Sequence, residues 1–267
     1  MKKLNYYNQV IASSDGYVTP NPGKTLFPTL KFYSKLAYII YYSNRMAVKG
    51  EYDDIQWPNT SIAIFHSLEH CGVKIEIEGM KNFQSFNTAA IFVANHMSSL
   101  ETLVLPGIIH PVKPVCFIMK AELVDYPFLG AVTGARDPIL VGRDNPREDL
   151  IKVLDDGAER IKRGKSVVVF PQKTRSSKID AASFNTLGIK LAKKNNVPVI
   201  PVAIISDAWS NGKIIKDYGR IDPAKKVYFC FGEPIYIKGN GADEHQQTID
   251  FIKSKFISHG RGELIKE

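Results

Sequence analysis

Apolar and polar positions along the chain change rhythm twice. Met1 to about Lys24 has no periodic apolar pattern, and Ser13, Ser14, Asp15, Gly16, Pro20, Pro22 and Gly23 mark a turn-rich loop or arm. From Leu26 to about Val48, Phe32, Tyr33, Leu36, Ile39, Ile40, Tyr42 and Met46 recur at helical spacing between Lys31, Lys35, Arg45 and Lys49. A second helical stretch, with Ile62, Ile64, Phe65 and Leu68, stops at Gly72, and Val73–Ile77 reads as a strand.

Beyond Gly79, continuous apolar runs alternate with amphipathic segments. Ala89–Ala94, Ser166–Phe170 and Val197–Ile205 carry almost no polar side chain, the pattern of strands covered on both faces, and Lys226–Phe231 adds another. Asp144 or Asn145 can cap a helix with Pro146 in its first turn, the apolar face Leu150, Ile151, Leu154, Ala158 and Ile161, and a stop at Gly164. Phe184, Leu187, Gly188, Leu191 and Ala192 line one side of a further helix, although a glycine inside it weakens the helical preference. Ile249–Ile257 closes the chain with another. The alternation predicts an α/β fold: a mixed, largely parallel sheet flanked by helices and preceded by an N-terminal helical pair. Residues 1–72 form the arm and helical segment, residues 73–267 the α/β domain.

The 267 residues, 44% hydrophobic and 23% charged, can bury a substantial core, which excludes wholesale disorder and collagen-like sequence. No repeat of solenoid or propeller period occurs. No apolar stretch approaches the roughly 18–20 residues that span a bilayer. Met1–Pro20 has polar residues where an apolar signal core would stand, so no secretory signal is expected. Cys71, Cys116 and Cys230 are scattered, and their odd number speaks against a disulfide framework or a zinc site. A reducing compartment and no metal are the expectations. Lys and Arg number 35 against 27 Asp and Glu, a net charge of +8, which favours nucleic acid, anionic lipid or phosphorylated small molecules. No nucleic-acid module or stacking motif is evident, so nucleic acid is not expected.

Chemistry-bearing residues follow the apolar runs, where open α/β sheets bind ligands. Asn95-His96-Met97-Ser98-Ser99-Leu100-Glu101 begins directly after Ala94. On a straight helix His96 and Glu101 would point about 140° apart. They can meet if His96 sits in the turn and Glu101 in the first turn of a helix capped by Ser98 or Ser99, giving a histidine base oriented by a carboxylate. Ser98-x-x-Glu101 is equally the spacing of a capping box, in which Glu101 returns to a backbone N–H. Phe170-Pro171-Gln172-Lys173-Thr174-Arg175-Ser176 offers Lys173, Arg175 and hydroxyls as a phosphate cradle, or else forms a solvated basic loop. Lys120 and Arg143 each end an apolar strand-like run.

Together and in this order, these segments resemble the glycerolipid acyltransferase family, the one containing bacterial 1-acylglycerol-3-phosphate acyltransferases. Asn95-His96-x-Ser98-x-x-Glu101 is similar to its NHxSxxD block, and Lys120 through Tyr126-Pro127-Phe128-Leu129-Gly130 to Arg143 resembles its second block. Phe170–Ser176 is similar to FPEGTRS, and Val197–Val202 to the fourth, structural block. The resemblance covers about residues 75–235. It implies acyl transfer from acyl-CoA or acyl-carrier protein, with no further cofactor, to a lysophospholipid hydroxyl. The expected acceptor is 1-acylglycerol-3-phosphate. His96 would be the base and Glu101 its orienting carboxylate. Asn95, Ser98, Lys120, Arg143, Gln172, Lys173, Thr174 and Arg175 would serve substrate binding. It further implies that the N-terminal helices dock on an anionic membrane surface, peripherally or monotopically, at the cytoplasmic face, with Phe32, Tyr33, Leu36, Ile39, Ile40 and Tyr42 inserting. Three positions depart from the pattern: Glu101 stands for Asp, Gln172 for Glu and Lys173 for Gly. The last two turn the charge at those positions from −1 to +1. A different lysolipid acceptor, such as a lyso-aminolipid, or a non-catalytic lipid-binding role are the alternatives.

Overall fold

The computed structural model describes residues 15–142, 144–212, 216 and 218–266. Among them, one sheet is built from β1 Tyr17–Val18, β2 Ile75–Glu78, β3 Ile91–Ala94, β4 Val115–Lys120, β5 Ile139–Val141, β6 Ser166–Val169, β7 Val199–Ile205 and β8 Val227–Phe231. Its order is β1-β2-β8-β7-β3-β6-β4-β5. The five strands from β7 to β5 in that order are parallel. β8 runs antiparallel to β7, with β2 parallel to β8 and β1 antiparallel to β2. The mixed, largely parallel sheet expected from the sequence is present.

The helices are α1 Pro28–Val48, α2 Gln56–His70, α3 Lys81–Gln84, α4 Leu100–Ile109, α5 Gly130–Gly134, α6 Pro146–Lys162, α7 Leu187–Asn195 and α8 Ala242–Ser258. Successive residues of a strand face opposite sides, and β3 shows the consequence. Phe92 and Ala94 join Phe32 of α1, Phe65 of α2 and Leu105 of α4 in one core. Ile91 and Val93 meet Val153 of α6 and Leu191 of α7 on the other side. Ala203 and Ile205 of β7 pack with Ile252 and Phe256 of α8.

Several expectations are corrected by this packing. The helices before position 72, α1 and α2, share a core with the sheet. Part of the arm is ordered as an edge strand, with Tyr17 and Val18 opposite Ile77 and Glu76. Phe32 and Leu36, expected to insert into a membrane, are 0% and 5% exposed. The exposed apolar side chains near α1 are Leu26, Phe27, Leu30, Tyr38, Tyr41 and Val48. A helix turning about 100° per residue places Phe27, Leu30, Tyr38, Tyr41 and Val48 on one outward stripe. No helix among the described residues is long and apolar enough to cross a membrane.

Asn145 does cap α6, accepting from the backbone N–H groups of Arg147 and Glu148. Ile151, expected on the apolar face, is exposed, and Val153 and Gly157 are buried instead. Those two continue the stripe begun at Leu150, while Ile151 sits a further 100° round the helix. Gly188 of α7 explains its own presence: a Cβ there would lie 2.5 Å from Val93 Cγ2, so the missing side chain lets α7 seat directly on β3.

Candidate active site

The parallel core of the sheet brings the loops after β3 and β6 side by side, since these two strands are neighbours. Asn95 continues β3 by side chain rather than by main chain. Its Nδ2 donates to Ile204 O and its Oδ1 accepts from Ile204 N, both at 2.8 Å. The amide thus copies a peptide group, and the backbone is free to leave the sheet at the next residue.

That residue is His96, and the loop after β6 surrounds it. Gln172 Oε1 accepts from His96 N at 2.6 Å, and Ser176 N donates to His96 O at 3.0 Å. Phe170 stacks on the imidazole with ring centroids 4.1 Å apart and planes 16° from parallel. Backbone on both sides and ring on one face are therefore fixed by a single loop.

Glu101, fully buried in the first turn of α4, approaches the imidazole from a different direction. Its Oε2 lies 3.3 Å from His96 Nδ1, which makes no hydrogen bond. The same carboxylate accepts from Met97 N at 3.1 Å and from Ser98 N at 3.0 and 3.1 Å, and Ser206 Oγ donates to its Oε1. Both readings of the Ser98-x-x-Glu101 spacing are realised by one side chain: the carboxylate closes back on the helix start and also faces the histidine. The peptide N–H groups and hydroxyl satisfy its lone pairs, which is what lets a carboxyl group sit out of water.

The other candidate residues divide by position. Asn95 and Ser98 face inward, Ser98 Oγ lying 3.0 Å from Ser206 Oγ and accepting from Leu100 N. Gln172 is 7% exposed, with its carbonyl oxygen committed to His96. Lys173 and Thr174 are exposed, and Arg175 is half-buried with its guanidinium donating to Ser99 Oγ. Lys120, at the end of β4, pairs with Glu122 Oε1 at 2.9 Å. Arg143 lies outside the described residues. Ser206 belongs to none of the quoted motifs; the signal for it was its place immediately after the buried run that ends at Ile205. Neither the groove between α1 and α2, of about 360 Å³, nor one of about 510 Å³ beside Glu78 is lined by His96.

Residues 74–205 match a family profile described as Acyltransferase. The span holds the His96–Glu101 pair and the loop that encloses it. The 1-acyl-sn-glycerol-3-phosphate acyltransferase of Pseudomonas aeruginosa is 30% identical over 141 residues, 53% of this chain and 53% of that protein. Over that span the chain is similar to the glycerolipid acyltransferase family. A chloroplastic 1-acyl-sn-glycerol-3-phosphate acyltransferase of Arabidopsis thaliana is 31% identical over 159 residues, 60% of this chain and 40% of that protein. The chain thus spans about half the length, or less, of these family members. The crystal structure of a 1-acyl-sn-glycerophosphate acyltransferase, PlsC, from Thermotoga maritima superposes with a TM-score of 0.67. It covers 87% of this chain and 95% of that one at 22% identity, which identifies the acyltransferase fold.

Proposed function

We propose that this chain transfers an acyl group from acyl-CoA or acyl-carrier protein to the free hydroxyl of 1-acylglycerol-3-phosphate. The observation that carries the reading is the His96–Glu101 pair, 3.3 Å apart at the carboxyl end of β3 and enclosed by the loop after β6. A carboxylate beside Nδ1 favours the tautomer with its proton there, leaving Nε2 as the base. Nε2 takes the acceptor's hydroxyl proton as that oxygen bonds to the thioester carbonyl carbon. The C–S bond then breaks, and the departing thiolate takes the proton from the imidazolium, which Glu101 has stabilised meanwhile. No acyl-enzyme is formed.

Lys173, Thr174 and Arg175, on the outer side of the same loop, and Arg143 are the groups proposed to meet the phosphate, Arg as a bidentate fork and Lys as a point charge. The relatives' names support a glycerol-3-phosphate headgroup. The outward stripe of α1, with Lys31, Lys35, Arg45 and Lys49 along the helix, supports docking on an anionic leaflet at the cytoplasmic face without crossing it.

The test is incubation with labelled acyl-CoA, or acylated carrier protein, and a panel of lysolipids. The expected result is acylation of lysophosphatidate in preference to lysolipids lacking a phosphate monoester, with His96→Ala folded and devoid of transfer. Near-normal turnover by His96→Ala would remove the mechanism. Folded native chain that transfers to no lysolipid would leave the lipid-binding alternative in its place.

A further inference from the structure

Far along the sequence from the His96 loop, Glu78, Cys230 and His259 come together. Glu78 ends β2 and stands in register with Cys230 of β8, so both side chains leave the sheet on the face covered by α8. His259 follows the last turn of α8. Cys230 Sγ is 3.5 Å from His259 Nε2, and that nitrogen is 3.7 Å from Glu78 Oε1; all three ligand atoms lie within 4.8 Å of one another.

We infer that Glu78, Cys230 and His259 form a binding site for a zinc-class divalent cation that ties the end of α8 to β2 and β8. Thiolate, imidazole and carboxylate together are the donor set of zinc and of its substitutes cobalt and cadmium. The spacing is also that of a tetrahedral site. With metal bonds of about 2.3 Å to sulfur and 2.0–2.1 Å to nitrogen and oxygen, tetrahedral angles give a sulfur–nitrogen edge of ~3.5 Å and a nitrogen–oxygen edge of ~3.4 Å. Two edges of the site already stand near these lengths.

The surroundings fit. Tyr228 stacks on the His259 ring, centroids 3.9 Å apart and planes at 25°, fixing the imidazole's orientation. Glu78 lines the groove of about 510 Å³, which opens one side of the cluster to solvent, while Cys230 and His259 lie behind it. The Lys255 ammonium, 2.6 Å from Glu78 Oε1, also lines that groove and holds the place of the cation's charge. Its side chain is 31% exposed and can swing to water when the metal arrives. Metal entry replaces a thiol proton: M²⁺ joins Cys–SH, neutral His and Glu⁻, and one H⁺ leaves from sulfur.

The experiment uses the full chain, stripped with a chelator and titrated with Co²⁺ alone, then with Zn²⁺ in competition. One equivalent should produce a thiolate-to-cobalt charge-transfer band, abolished in Cys230→Ser and displaced by Zn²⁺. His259→Gln should weaken Co²⁺ binding by more than about tenfold, since losing a ligand costs at least as much as losing a group that orients one. Zn²⁺ at a fixed concentration should raise Tm in the native chain by more than in either variant. Absence of the band in the native chain, or its persistence in Cys230→Ser, overturns the inference. Should Cys230→Ser not fold, an unchanged Co²⁺ affinity in folded His259→Gln overturns it equally. Buried Cys71 and Cys116 serve as thiol controls.

Discussion

Gln172→Leu separates a residue that positions the base from one that binds the acceptor. The change keeps the side chain's approximate volume and removes the oxygen that accepts from His96 N at 2.6 Å. At 7% exposure, water does not readily replace it. An orphaned buried N–H costs about 1–3 kcal/mol. For a chain of this size, at about 2–4 °C of Tm per kcal/mol, that is a fall of roughly 2–12 °C. The imidazole keeps its Phe170 stack and the Ser176 bond, so transfer should fall without disappearing. A displacement of about 1 Å at a reacting group can cost ~10²-fold, and a tenfold to hundredfold loss in kcat is expected. Steady-state kinetics with lysophosphatidate, paired with calorimetry, make the test. The acceptor's KM should stay within about twofold, and Gln172→Glu, which retains an accepting oxygen, should recover most of the rate. An acceptor KM raised tenfold with kcat and Tm unchanged would refute the reasoning, because Gln172 would then touch the lipid rather than the base's backbone.

Three further outcomes are expected. Glu101→Gln should lower kcat, and Ser206→Ala, which removes the hydroxyl donating to that carboxylate, should lower it by about tenfold or less; loss of Tm alone in both would reduce Glu101 to its capping role. Replacing Phe27, Leu30, Tyr38 and Tyr41 together by Ser should release the chain from anionic vesicles in co-sedimentation while leaving it folded, since none is in the core; undiminished sedimentation would move the docking surface elsewhere. Burial draws the Lys113 ammonium down to about 8, with Nζ donating to Phe86 O and Thr88 O. Between that value and the unfolded ~10.4 the unfolded chain holds the extra proton. Stability should therefore rise with pH across this window, by at most about 1.4 kcal/mol per pH unit, relative to Lys113→Met; a flat difference between the two chains would show that Lys113 titrates normally.

The sheet was legible because its central strands are buried on both faces, so Ala89–Ala94 and Val197–Ile205 announce themselves as continuous apolar runs. Asn145 and Pro146 marked a helix start for local reasons that no tertiary contact overrides. The orientation of α1 was not legible. Phe32 and Leu36 on one side and Phe27, Leu30 and Tyr41 on the other are equally apolar, and periodicity finds a helix without saying which stripe meets the sheet. The spacing of Ser98 and Glu101 leaves a cap and a histidine–carboxylate pair undecided because one carboxylate makes both contacts, its Oε2 accepting from Ser98 N and also facing His96 Nδ1. Gln172 and Lys173 are neighbours in one motif, yet Gln172 is buried against His96 and Lys173 is exposed; sequence order carries no such direction. Ser206 was missed because its link to Glu101 arises from β7 lying beside β3, a matter of topology.

The peptide-like pairing of Asn95 with Ile204 bridges 109 positions, and the grip of Gln172 on His96 bridges 76. Apart from Glu101, the groups that hold His96 come from far along the sequence. A chain emerging from synthesis carries His96 long before the residues that fix its backbone and ring, and during that interval the histidine has no fixed place. Contacts so distant along the chain close late in folding, after much loop entropy has been surrendered. Acyl transfer, if it is measured, is then a report on the completed fold: fragments ending before residue 206 should be silent, and no half-formed intermediate should squander thioesters while it waits for the rest of itself.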